Sequence, residues 1–302
     1  MDLVRRYPEL LVVIMATALG LSVQRPLAWL SGHQGINVLL FILVFATAVT
    51  IEPAAIRRTG RVWRRLVLAL IVGASVLPAL SWAVSRMVAS GSLRDGVMTV
   101  GLAPCEIASV ATTAMARGEP ALSAGVLMGS TVVTIAIAGP VLALESTGGS
   151  VHPAHILINL SLVVALPLVV GVGLRARMPL PEKVERLALR AATLAVGALV
   201  ALIAAEIRFG ADYVALGGAL VAFVVLSALL GWLIGLRTAS AVATALLLTT
   251  SIRDFAVAAG IATAAFGNAA AAPLGLYGIL VLVWGTAAAG RLRRIDSQQQ
   301  AP

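Results

Sequence analysis

Ten stretches of roughly 20 apolar residues follow one another along this chain, a pattern that a soluble domain does not carry. They run approximately from Pro8 to Val23, Ile36 to Ile56, Leu66 to Met87, Leu93 to Ala116, Pro120 to Leu144, Ala154 to Leu174, Val184 to Ile207, Tyr213 to Leu236, Ser240 to Phe266 and Ala270 to Ala289. A helix of that length crosses the hydrocarbon core of a bilayer while satisfying its own backbone hydrogen bonds. With 60% hydrophobic and 12% charged residues, the chain reads as an all-α membrane protein with ten transmembrane helices. Arg5 and Arg6 before an apolar run give the N-terminus the outline of a signal peptide. The repeat described below needs that segment as a helix.

The formal net charge of +9 sits in short connections and forms no continuous basic face, so it implies no nucleic-acid partner. It reports topology instead, because Lys and Arg concentrate on the cytoplasmic side. Arg5, Arg6, Arg57, Arg58, Arg61, Arg64, Arg65, Arg117, Arg175, Arg177, Lys183, Arg186, Arg190, Arg237, Arg291, Arg293 and Arg294 fall on one side of a ten-segment chain, and only Arg25, Arg86, Arg94 and Arg208 on the other. Both termini are then cytoplasmic, in a multi-pass protein of a cell inner or plasma membrane. Arg57, Arg58, Arg61, Arg64 and Arg65 form a cluster that topology explains and that also suits anionic membrane lipid.

Ten segments divide at the loop from Glu145 to His155, giving five in residues 1–146 and five in residues 147–302. Five is odd, so the second set enters from the opposite side and an inverted repeat follows. The fourth segment of each half is interrupted. GLAPCEIAS carries Pro104, which removes a backbone donor and disfavours helical geometry at Ala103. TTSIRDFAV carries Thr249, Thr250, Ser251, Arg253 and Asp254 without a proline.

Glu106, Arg253 and Asp254 are the ionisable side chains that hydropathy sets deepest, each costing about 2.5 to 3.5 kcal/mol at a helix centre if left in lipid. They must face protein or water. Either Arg253 meets an anionic substrate or one acid while the other acid binds a proton or cation, or the trio is an ion pair pinning two crossing helices. Glu106, Ser109 and Thr113 share a helical face, and Thr249 and Thr250 lie one turn before Arg253 and Asp254. Such hydroxyls either line a site or bond their own backbone, and Ser123 and Thr131 carry the same two readings. Cys105 is a small apolar residue or, in an unwound segment, a soft ligand; one cysteine makes no metal site by spacing. His33, His152 and His155 fall in connections, and HPAH marks a helix start.

GxSxG, HExxH and GxxxxGK are all missing, so neither hydrolysis nor nucleotide-driven pumping is indicated, and nothing implies a cofactor. The protein is not expected to be an enzyme.

The run APCEIASVATTAMARGEPALSAGV resembles the fourth and fifth helices of the bile acid:sodium symporter family, and SIRDFAVAAGIATAAFGNAAAAP with WGTAAAG is similar to its ninth and tenth. APC and DFAVA also resemble the related arsenite-efflux permeases, with Cys105 and Asp254 at the matching positions. The resemblance implies a panel of segments one, two, six and seven, a core of the others, and broken fourth and ninth segments that cross in the core. It also implies alternating access between the two parts. Of the family's sodium-site residues, Ser109 and Ser123 are retained. Val110 stands for its Asn, Thr249 for its Glu and Arg253 for its Gln.

The expectation is a secondary transporter of a small organic anion. Cys105, Glu106, Ser109, Thr249, Arg253 and Asp254 would bind the substrate, and Glu106, Asp254, Ser109 and Ser123 would serve the coupling ion, H+ in preference to Na+. Arsenite or antimonite efflux through Cys105 is the alternative, and a non-transporting membrane sensor a lesser one. The tail RLRRIDSQQQAP is polar and short enough to be disordered.

Overall fold

A computed structural model describes residues 8–50, 63–145, 152–178, 180–207 and 210–299, and among these the chain is helical with no strand. The helices are α1 (Pro8–Ser22), α2 (Gln24–Gly32), α3 (Gly35–Ala48), α4 (Trp63–Ser85), α5 (Gly91–Leu102), α6 (Ala108–Met115), α7 (Pro120–Glu145), α8 (Pro153–Leu160), α9 (Leu166–Arg177), α10 (Glu182–Ala205), α11 (Asp212–Gly235), α12 (Ser240–Ser251), α13 (Phe255–Phe266) and α14 (Ala272–Gln299). A π turn at Ser161–Ala165 joins α8 to α9, and a 3-10 turn at Asn268–Ala271 leads into α14. Arg5, Arg6, Arg57, Arg58, Arg61 and Arg208 lie outside the described residues, as do residues 146–151 of the expected central loop.

Among the described residues, six stretches are long and apolar enough to cross a membrane: α4, α7, α8 with α9, α10, α11 and the stretch from Asn268. α1 and α2 pass the same test only when taken together, and they are bent by 98° at the break between them. The chain is therefore a multi-pass membrane protein. Three expected segments fall short of a full crossing length. α3 ends at Ala48 and is followed by a turn at Val49 and Thr50, and residues 51–56 of the expected segment lie outside the described residues. The fourth and ninth are each cut in two, as α5 with α6 and as α12 with α13.

The helices pack in two sets, joined where α8 lies along α7 and α10 along α14. α10 lies along α1 and α3, and α9 along α3; elsewhere α4 packs on α5, α7 and α11, and α11 on α12. Small residues permit the closest approaches, as usual where lipid offers no hydrophobic drive between helices. A Cβ on Gly20 would overlap the Ala201 carbonyl of α10, and one on Gly101 the Leu77 carbonyl of α4. α13 crosses α5 near the middle of the molecule, and every residue from Phe255 to Ala262 is buried. An all-round apolar helix requires that central position.

Two local expectations have definite outcomes. α8 starts at Pro153, directly after His152, as HPAH indicates. The tail differs, because α14 continues to Gln299. Arg, Leu and Gln are good helix formers, and no Gly or Pro follows Gly290 before the helix ends.

Candidate functional site

The two interruptions are built differently and complete each other. Pro104 disfavours helical geometry in the residue before it, and Ala103 lies at φ −62° and ψ 150°, ending α5. In the second break Ile252 lies at φ −101° and ψ 96° and Asp254 at φ −73° and ψ 102°, both extended without any proline. Tertiary pairing holds this second break open. Cys105 and Arg253 form an antiparallel bridge. The Asp254 amide donates to the Pro104 carbonyl at 2.9 Å, and the Glu106 amide donates to the Ile252 carbonyl at 3.0 Å. Each break thereby satisfies backbone groups that the other would leave bare in a membrane.

Side chains supply the remaining partners. Ser130 Oγ of α7 accepts from the Cys105 amide at 3.0 Å, and Thr134 Oγ1, one turn on, donates to the Leu102 carbonyl at 2.8 Å. Arg253 Nη2 donates to the Ala103 carbonyl, and the Arg253 amide donates to Tyr277 Oη of α14 at 3.3 Å. Asp254 caps α13: its Oδ1 accepts from the amides of Ala256 and Val257, each at 2.9 Å. Aspartate is a strong N-cap residue, so the second helix half begins where its sequence favours a start.

A cavity of about 500 Å³ opens beside this crossing, between the two packing groups. Val12 and Val13 of α1, Leu43 and Thr47 of α3, and Leu189, Ala192, Thr193 and Val196 of α10 line one side. The other side is lined by Glu106, Ile107, the face of α6 that carries Val110, Ala111 and Ala114, Ala124 and Leu127 of α7, and Asp254 with Phe255. The wall is mostly apolar. Its threonines turn inward to their own backbone, Thr47 Oγ1 to Leu43 O at 2.6 Å and Thr193 Oγ1 to Leu189 O at 3.0 Å. α6 begins at this wall with no side-chain cap.

The residues singled out from sequence therefore part company. Glu106 and Asp254 border the cavity, whereas Cys105, Ser109, Ser123, Thr249 and Arg253 do not. Cys105 is fully buried with Sγ 2.8 Å from Ser109 Oγ, and Ser123 Oγ donates to Thr113 Oγ1 at 2.9 Å. Thr249 Oγ1 donates to the Ala245 carbonyl at 2.8 Å. The shared faces expected of Thr249 with Arg253 and of Thr250 with Asp254 do not form, because α12 ends at Ser251 and the helical period ends with it. Arg253 is 3% exposed, and its Nη1 and Nη2 lie 3.8 and 3.9 Å from where a Cβ on Gly73 of α4 would stand.

Ser130, Thr134 and Tyr277 were not legible as site residues. The available signal was a pair of hydroxyls four apart in the fifth apolar segment. Thr131, in the same segment, donates from Oγ1 to the Leu127 carbonyl of its own helix at 2.8 Å.

The chain is 22% identical over 276 residues to the uncharacterized sodium-dependent transporter YocS of Bacillus subtilis (strain 168), covering 88% of this chain and 85% of that protein. Residues 37–216, which take in the first broken helix, the α7 hydroxyls and α10 on the cavity wall, match the Sodium Bile acid symporter family. A match over more than half of a helical membrane chain is decisive, and this protein belongs to the sodium bile acid symporter family of membrane transporters.

Proposed function

We propose that this protein is a secondary active transporter that moves a small amphipathic organic anion by alternating access, driven by protons in preference to sodium. The observation that carries this reading is the cavity of about 500 Å³ between two helix groups, bordered by two carboxylates at the join of two broken helices. Binding sites of secondary transporters lie at such joins, where irregular backbone faces protein or water and not lipid.

An apolar solute body suits the wall of alanine, valine and leucine. Its anionic group suits the uncapped start of α6 at Ile107 and Ala108, because the first turn of a helix carries positive partial charge. The anion contact thus moves from Arg253, which is turned toward Gly73, to the start of α6. A protonated Asp254 or Glu106 beside the substrate carboxylate replaces repulsion with a hydrogen bond. Proton and anion then bind better together than apart, which is the coupling that symport needs.

The inverted repeat belongs to the same proposal: ten spanning segments, both termini cytoplasmic, with α1, α3, α8 to α10 moving against the remainder. Sodium coupling is disfavoured by Thr249, whose hydroxyl is engaged by its own helix, and by Arg253 at the place of the family's Gln. Arsenite efflux is disfavoured by Cys105, which is buried away from the cavity. Uptake of candidate carboxylates into proteoliposomes, under a pH gradient or a sodium gradient alone, tests the reading. Accumulation with the pH gradient is expected, and accumulation that follows sodium and ignores pH overturns proton coupling.

A further inference from the structure

We propose that Arg253 is a tethered cation, a guanidinium held where a broken-helix transporter would otherwise bind a mobile coupling ion. The end of a half-helix and the unwound carbonyls after it are a negative pole, and in this architecture they serve as cation ligands. Here Arg253 Nη2 donates to the Ala103 carbonyl, at the C-terminal end of α5. Successive side chains of extended backbone point to opposite sides. Asp254 accordingly borders the cavity while Arg253 turns away from it into the protein, toward the space that Gly73 leaves on α4.

The acid whose charge acts on it is its neighbour in the chain, Asp254. This 3%-exposed guanidinium donates to the Ala103 carbonyl, so a backbone dipole holds it in place alongside the field of Asp254. Nε lacks an acceptor, so complete hydrogen-bond matching is not what an arginine provides there. Positive charge is. The position consequently has no requirement for sodium, and the cation that stabilises the crossing never leaves it.

The proposal deepens the transporter reading, and its test measures stability without flux, so either can fail without the other. The purified full chain is melted in sodium chloride and in choline chloride at equal ionic strength. The wild type is expected to melt at the same temperature in both. Arg253→Gln removes the charge and adds an oxygen ligand; it is expected to melt lower in choline and to gain about 3 °C or more from sodium. Arg253→Lys, which keeps the charge, is expected to ignore sodium. A wild type stabilised by sodium as strongly as Arg253→Gln, or an Arg253→Gln protein indifferent to sodium, overturns the proposal. Should Arg253→Gln fold in neither salt, wild-type and Arg253→Lys proteins that ignore sodium sustain it, and a sodium response in either overturns it.

Discussion

Cys105 and Arg253 stand opposite each other in one antiparallel bridge that ties the break after α5 to the break after α12. Around that bridge, backbone groups freed by each break meet those freed by the other, and side chains of α7 and α14 take up the rest. The crossing is thus one polar unit inside an apolar protein. Its parts are expected to fail in distinguishable ways.

Ser130 is the acceptor for the buried Cys105 amide. Ser130→Ala leaves that donor without a partner and is expected to cost about 1 to 3 kcal/mol. Ser75→Ala is the control, since Ser75 is exposed and bonds only its own Ile71 carbonyl. Melting of the two purified variants should show a clear fall for Ser130→Ala alone; equal falls would mean that α7 does not support the break.

Asp254 has two separable duties, capping α13 and facing the cavity. Asparagine caps a helix about as well as aspartate but carries no exchangeable carboxyl proton, while alanine does neither. Asp254→Asn should keep the melting temperature near wild type and abolish uptake driven by a pH gradient. Asp254→Ala should lose that uptake and about 0.5 to 2 kcal/mol of stability as well. Undiminished pH-driven uptake by Asp254→Asn would shift the proton to Glu106.

Cys105 is buried, and its Sγ meets Ser109 Oγ behind the cavity wall. Cys105→Ala is expected to retain substrate uptake, and a membrane-permeant maleimide to label the thiol only after denaturation. Labelling of the native protein that substrate prevents would return Cys105 to the site and revive the metalloid reading.

Much of the architecture was legible beforehand. Pro104 marked the first break because a proline acts on its own backbone and on the residue before it. Glu106 and Asp254 were found by the cost of charge in lipid, a property of composition and position. The break after Ser251 has no comparable local cause, although Asp254 ahead of an apolar run is a helix-start signal in hindsight. The sharp turn from α1 into α2 and the helical tail also left no distinctive mark in hydropathy.

What sequence alone determined was the solvent and the elements: apolar runs of crossing length demand helices in a membrane, and the few deep charges must avoid lipid. Only the tertiary structure decided which of those charges share a cavity. The same extended segment sends Asp254 to the cavity and Arg253 to the Ala103 carbonyl, 150 residues away in the chain. Which neighbour faces which way depends on the register of pairing between two distant segments, and no local pattern encodes that register.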